Sequence, residues 1–91
     1  MDNEAISFRI RGRVQGVRFR ISTKQVALSL NINGWVRNCE DESVEGYAEG
    51  SQAAIDSLVL FLRRGPKHAE VLELGIRSDS AQGFREFAIR K

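Results

Sequence analysis

One short segment of this 91-residue chain carries the residues best suited to binding an anion. It is the run Gln-Gly-Val-Arg-Phe-Arg at residues 15–20, in which Gly16 can adopt a positive φ and expose its backbone to close approach. A helix that begins there leaves its first amides without intrahelical partners, and its dipole favours negative charge. Arg20 can add a bidentate, charge-assisted clamp on phosphate oxygens. The pattern alone also allows a plain strand-to-helix loop with a solvated arginine.

The spacing of apolar residues predicts the elements that position this segment. Alternation indicates strands, and repeats at i, i+3, i+4 and i+7 indicate helices. The predicted elements are a strand at 6–14, a helix from Phe19 or Arg20 to Leu30, strands at 35–39 and 43–49, a helix from Ile55 to Leu62 that Gly65-Pro66 ends, a strand at 71–76 with an irregularity near Leu72 and Glu73, and a last strand at 84–90.

This order is β-α-β-β-α-β, with the final strand unit split in two by a polar loop at 78–83. It is typical of an α+β, ferredoxin-like sandwich, in which two helices pack on one face of an antiparallel sheet of four to five strands. The chain is short enough that one core of two layers is the most it can bury. We therefore expect a single domain over residues 1–91.

The predicted topology brings two distant segments to one corner. In a split βαβ unit the first and second strands run parallel with another strand between them, so their carboxyl ends lie at the same edge. One intervening strand separates them by roughly 10 Å. The loop at 15–20 follows the first strand, and Arg37-Asn38 ends the second. We expect these segments to face each other.

Composition and charge exclude several classes of protein. Residues 1–38 carry seven Lys and Arg against two acids, while residues 39–62 carry six acids and no Lys or Arg, which suggests an anionic ligand or a solvated basic face. Cys39 is the only cysteine, so one chain can form neither a disulfide nor a cysteine metal cluster. No apolar run approaches the roughly 20 residues of a membrane span, and the start lacks a secretory pattern. We expect a cytoplasmic protein that uses no membrane.

Two signature segments closely resemble those of acylphosphatases. They are Gly12-Arg13-Val14-Gln15-Gly16-Val17-Arg18-Phe19-Arg20 and Gly34-Trp35-Val36-Arg37-Asn38. The family is also resembled by other segments, which are Val44-Glu45-Gly46, Ala48-Glu49-Gly50, the Gly65-Pro66 pair and the run at 87–90. The resemblance therefore covers nearly the whole chain.

The resemblance implies a metal-free enzyme that hydrolyses the carboxyl-phosphate anhydride of acyl phosphates, with Arg20 as a catalytic residue and Asn38 orienting the attacking water. We also expect no other cofactor, a monomer, and binding of inorganic phosphate or sulfate in the same loop. The phosphate cradle that the resemblance implies is formed by the amides of residues 15–20, with Gln15, Gly16, Val17, Arg18 and Phe19 as substrate-binding residues. Hydrolysis of such a substrate requires mainly that the protein position the reacting groups and stabilise the charge of the transition state.

Three positions depart from the family's usual pattern. Arg18 stands where many members have glycine, Cys39 follows the catalytic asparagine where threonine is frequent, and Glu42 replaces a hairpin glycine, so it must either avoid positive φ or bear strain. These departures bear on the level of activity and the stiffness of the loop, and none of them touches Arg20 or Asn38.

Two other functions compete with this interpretation. A non-catalytic acylphosphatase-like module would bind phosphate without hydrolysis, but the presence of both Arg20 and Asn38 favours activity. RNA-binding domains share the element order, but they stack bases on aromatic residues of the central strands, and here Tyr47 is flanked by acids. We therefore expect no nucleic acid partner.

Three more residues have a structural expectation. Trp35 is expected in the core, with the alternative that it also forms a wall of the pocket. His68 is expected at the surface or packed outside the site. Thr23 is expected either to support Asn38 or the loop, or to be an ordinary helical threonine.

Overall fold

The computed structural model describes residues 3–91 of the chain, so residues 1 and 2 of the predicted domain lie outside the described part. Two helices and five strands follow one another. They are β1 (Glu4–Arg13), α1 (Phe19–Ser29), β2 (Asn33–Asn38), β3 (Val44–Gly50), α2 (Gln52–Arg64), β4 (Glu70–Asp79) and β5 (Phe87–Arg90). Neither described helix is long and apolar enough to cross a membrane.

The sheet has the strand order β4-β1-β3-β2-β5, and both helices pack against it and against each other. β3 is antiparallel to both β1 and β2, so β1 and β2 are parallel with one strand between them. The predicted α+β, ferredoxin-like fold is confirmed. One detail of the prediction is wrong, because β5 pairs in parallel with β2 and the sheet is therefore mixed rather than antiparallel.

The reason for the mixed sheet is the loop at residues 80–86, here called the crossing loop, which carries the chain from the edge at β4 to the opposite edge at β2. The Tyr47 hydroxyl donates to the carbonyl of Ser80 at 2.7 Å and accepts from the Gln82 amide at 3.0 Å. The Glu49 carboxylate, only 2% exposed, accepts from the amides of Gly83 and Phe84. Because the Phe84 amide is used in this way, β5 begins at Phe87 and not at the predicted residue 84.

The core lies between the sheet and the helices. The alternation predicted for the first strand is confirmed, since Ile6, Phe8 and Ile10 are at most 8% exposed while Arg9 and Arg11 face the other side. Burying such a side chain contributes about 1.5–3 kcal/mol. The other buried apolar residues of the core cluster are Val14, Phe19, Ala27, Ile32, Val36, Val44, Ala48, Ala54, Ile55, Leu58, Leu62 and Phe87.

A β-bulge explains the irregularity that the sequence predicts near residues 72 and 73. Arg11 pairs with Glu73 but Gly12 pairs with Val71, which leaves Leu72 as the extra residue on β4. Gly12 has a φ of 133°, and a Cβ there would lie 2.2 Å from the carbonyl oxygen of Glu70. Only glycine fits this crossing of the strands.

Trp35 does not lie in the core, contrary to the prediction. Its neighbour Val36 is fully buried, and strand parity therefore turns Trp35 to the open face of the sheet. There the Arg90 guanidinium lies 4.8 Å from the centroid of the Trp35 ring. The position of Trp35 next to the apolar Val36 in a strand was the sequence signal that could have placed it on the open face.

Hydrogen bonds to Asp41 stabilise the turn between β2 and β3. The Asp41 carboxylate accepts from the backbone amide and the hydroxyl of Ser43 and from the guanidinium of Arg11. Glu42 has a φ of 71°, so it bears the strain that glycine would avoid. Hydrogen bonds from Ser43 first, and then from Arg11, lower the pKa of Asp41 from 3.8 to about 2.

The depressed pKa of Asp41 predicts how stability depends on pH. Because its folded pKa lies below its unfolded value, the carboxylate stabilises the fold fully above about pH 4 and loses this effect as pH falls towards 2. Asp41→Asn should be less stable than the unmodified protein at pH 7, and the difference should vanish near pH 2. Urea unfolding at a series of pH values measures it, with Glu40→Gln as the control for an exposed acid of the same turn. A difference that stays constant down to pH 2 would contradict the assignment.

Candidate active site

The loop between β1 and α1 is wound so that its backbone can face a ligand. Gly16 has a φ of 74°, and an added Cβ would find no atom within 4 Å. Arg18, the residue before α1, also has a left-handed conformation with φ 64° and ψ 26°. Turns of this kind orient successive amides in one direction and form anion-binding concavities.

The first turn of α1 leaves its amides available. No side chain caps the helix at Arg18, and the first turn holds no acidic residue. The Ser22 amide donates to the Arg18 carbonyl at 3.0 Å and is the first to be used within the helix. The amides of residues 19–21 thus point out of the helix end, where the dipole favours an anion.

A small pocket of about 290 Å³ joins this loop to β2. Asn38 is the last residue of β2 and contributes its side of the pocket. The lining residues are Val14, Gly16, Arg18, Phe19, Arg20, Ile21 and Asn38. The corner that the topology predicts is therefore formed, because the segments that end the parallel strands β1 and β2 meet around one cavity.

The predicted site residues contribute in different ways. Gly16, Arg18, Arg20 and Asn38 line the pocket, and Arg18 is exposed whereas Arg20 is half-buried. Phe19 can offer only its backbone, because its side chain is 2% exposed and lies 6.1 Å from the ring of Phe61.

Two of the predicted residues do not line the pocket. The Gln15 Nε2 donates to the carbonyl oxygens of Cys39 and Ser43, each at 2.9 Å, so its side chain ties the loop to the β2–β3 turn. Val17 is half-buried and packs against the hydrophobic core. Gln15 therefore holds the two halves of the site together.

Asn38 keeps hydrogen-bonding capacity for the pocket. Its Oδ1 is buried, and among residues 3–91 it is the only buried side-chain oxygen or nitrogen without a hydrogen-bond partner. Such an unsatisfied group costs about 1–3 kcal/mol, which is unusual unless it serves a ligand or a reaction. Thr23 does not satisfy it, because its hydroxyl donates to the Phe19 carbonyl at 2.8 Å, as an ordinary helical threonine does.

Three of the four arginines of β1 and β2 form ion pairs with acids of the middle segment. Arg9 and Arg37 both bind the Glu45 carboxylate, at 2.6 and 2.5 Å, and Arg11 binds Asp41 at 2.9 Å. Burial would raise the pKa of Glu45, but the hydrogen bonds from Arg37 and Arg9 outweigh it and leave the pKa below its usual value. Three arginines of the basic first part are thus paired with two acids of the middle part across the sheet.

The two arginines of the pocket remain outside this pairing. Neither Arg18 nor Arg20 takes part in an ion pair among residues 3–91, and the pocket has no acidic lining residue. The pocket therefore combines two unpaired guanidinium groups with the free amides of a helix start. This arrangement favours a dianionic group such as phosphate.

Two lining residues were missed by sequence reasoning. Val14 forms part of the floor at 1% exposure, and Ile21 forms part of the rim at 42% exposure. Ile21 could have been found, because it is an apolar residue off the buried face of α1, where its side chain has no core to join. His68 is exposed and outside the pocket, and no three His, Cys, Asp or Glu side chains of the described residues converge on a possible metal position.

A larger groove of about 560 Å³ lies on the open face of the sheet, against Arg9, Trp35, Glu45 and Arg77. It offers less chemistry, since the guanidinium of Arg9 is held by Glu45 and no helix begins there. Tyr47 is only 2% exposed beneath the crossing loop, so it cannot stack on a base as the RNA-binding alternative requires.

The comparisons with known proteins point to one family. Residues 6–89 match the family model described as Acylphosphatase. The chain is 44% identical to an acylphosphatase of Acaryochloris marina, covering 88% of this chain and 86% of the relative, and 48% identical to one of Rhizobium etli, covering 88% and 83%. The solved acylphosphatase of Bacillus subtilis superimposes with a TM-score of 0.94 at 31% identity, covering 97% of this chain and 99% of the other.

The contacts of Gln15 predict that its side chain holds the site in shape. Gln15→Leu keeps the volume but removes both donors, so we expect the free energy of unfolding to fall by about 1 kcal/mol. Amide hydrogen exchange in residues 15–20 should become faster, because the loop loses its tie to the β2–β3 turn. Urea unfolding and exchange measured by mass spectrometry test this, with the exposed Gln25→Leu as the matched control. Unchanged exchange in the loop would contradict the role.

Proposed function

Because the chain belongs to the acylphosphatase family and is an acylphosphatase that acts on small acyl phosphates, we propose where this reaction takes place. The proposed active site is the pocket between the loop at 15–20 and Asn38. The observation that carries this proposal is the meeting of two unpaired arginines, uncapped helix amides and an unsatisfied asparagine in one small cavity. Each of these features suits one part of the hydrolysis.

The phosphate group would bind at the helix start. Amides of residues 15–20 would donate to its oxygens, and the Arg20 guanidinium would add two parallel hydrogen bonds. These donors are in place before the substrate arrives, so they can stabilise the charge that spreads over the phosphoryl oxygens in the transition state without reorganisation. Absence of acids from the pocket lining supports this role, because a neighbouring carboxylate would repel the phosphate.

The attacking water would be held by Asn38. A neutral carboxamide is no base, but it can donate and accept hydrogen bonds and so fix a water in line with the scissile bond. The water oxygen bonds to phosphorus as the bond to the acyl oxygen breaks, and the electron pair leaves with the carboxylate. The water proton passes to a phosphate oxygen. A carboxylate is a stable leaving group, so no general acid is needed.

We propose that this reaction uses no metal or other cofactor, because Arg20 and the amides supply the positive charge that a cation would otherwise provide. We also propose a single-domain monomer that acts in the cytoplasm. Inorganic phosphate, the product, would bind the same loop and compete with substrate.

The decisive experiment is turnover of benzoyl phosphate in the presence of excess EDTA. We expect hydrolysis at neutral pH at the same rate with and without the chelator, and inorganic phosphate should inhibit competitively. Absence of hydrolysis would overturn the assigned site, and activity lost to EDTA but restored by Mg²⁺ would overturn the metal-free mechanism.

The two proposed roles predict different kinetic losses. Arg20→Ala and Asn38→Ala should each lower kcat/KM by on the order of 10²-fold, as loss of a positioned transition-state donor does. Only Arg20→Ala should also weaken inhibition by inorganic phosphate, because Asn38 holds the water and not the phosphate. Circular dichroism and urea unfolding control for the fold. A folded Asn38→Ala protein with normal turnover would show that the asparagine does not position water.

A further inference from the structure

The residue at the mouth of the pocket, Arg18, is a charged side chain with no partner. It is exposed, lines the pocket, and takes part in no ion pair among residues 3–91. We propose that Arg18 selects acyl phosphates whose acyl group carries a second negative charge, such as a distal carboxylate or phosphate. This inference rests on the proposed active site and names the substrate class that it prefers.

The direction of attack places the acyl group near Arg18. Water held by Asn38 approaches phosphorus from the side of β2, and in-line displacement requires the leaving oxygen on the opposite side. The acyl group therefore extends away from β2, over the loop and the first turn of α1. The exposed side chains that line the pocket there are those of Arg18 and Ile21, whereas Val14 and Phe19 are buried in the floor.

The rim offers two different surfaces to an acyl group. Ile21, 42% exposed, can cover the carbon skeleton, and the Arg18 guanidinium can meet a charged group at its far end. Arg20 is committed to the phosphate in the proposed mechanism. Because the pocket lining contains no acid, the charge of Arg18 stays available for the substrate.

The backbone conformation of Arg18 is strained. Its φ of 64° lies in the region that a side chain disfavours by about 1–2 kcal/mol and that glycine adopts freely. The Arg18 side chain makes no hydrogen bond among the described residues that would offset this cost within the fold. The guanidinium is therefore free to bind a ligand at the rim of the pocket.

The test compares two substrates that differ by one distal charge, benzoyl phosphate and 4-carboxybenzoyl phosphate. The measured quantity is the ratio of their kcat/KM values, in which effects of a variant on phosphate binding and on chemistry cancel. We expect the ratio to favour the carboxylated substrate and to fall about three- to fivefold in Arg18→Gln, the size of an exposed ion pair. Arg18→Lys should keep most of it, and 0.5 M salt should reduce it.

Two further variants make the result specific. Arg18→Gly adopts the same φ without strain, so it gives a folded neutral variant even where Arg18→Gln is destabilised. Arg63→Gln removes an exposed charge that does not line the pocket, at the end of α2, and should leave the ratio unchanged. A ratio unchanged in both neutral Arg18 variants, or one that falls equally in Arg63→Gln, overturns the inference. Failure of the unmodified protein to hydrolyse either substrate would instead overturn the proposed active site.

Discussion

The placement of β3 between two parallel strands is the constraint on which the rest of this structure depends. β3 pairs in antiparallel fashion with β1 on one side and with β2 on the other, so both neighbours end at the same edge of the sheet. The loop at 15–20 follows β1 and Asn38 ends β2, and neither segment could form the pocket alone. Gln15 then locks the loop to the β2–β3 turn by two hydrogen bonds that cross this edge. A register shift in either strand pair would turn Asn38 away from the loop.

The same strand pairing also sorts the charges. Arg9, Arg11 and Arg37, on the open side of the sheet, form ion pairs with Glu45 and Asp41. Arg18 and Arg20 follow the end of β1 and form no ion pair with those acids. Two guanidinium groups without an ion pair among residues 3–91 thus lie beside the free amides of α1. The net charge of the whole chain, +2, does not reveal this local excess of positive charge.

Much of the fold could be predicted from the sequence, and so could the corner where the loop at 15–20 meets Asn38, because both depend on short-range patterns. Alternation placed β1, and the Gly16 loop before a helical repeat marked the candidate anion site. The path of the chain after β4 could not be predicted, since it depends on long-range hydrogen bonds from Glu49 and Tyr47 to backbone groups of the crossing loop, which leave no periodic signal. The side-chain contacts of Gln15 were hidden for the same reason. The roles of Arg20 and Asn38 in the reaction came from the family resemblance and from chemistry, and they remain predictions.

In the proposed active site, phosphate binding is separate from the choice of the acyl group. The amides, whose direction is set by the fold, would bind the phosphate, with Arg20 as the one charged addition. The acyl group would contact the exposed rim, where Arg18 and Ile21 lie outside the core cluster. A substitution on the rim can therefore change which acyl phosphate is preferred without disturbing the amides that bind the phosphate. Glycine would adopt the backbone conformation of position 18 without strain, and arginine adopts it with strain. The fold therefore accepts either residue, and the preferred substrate can determine which one is favoured there.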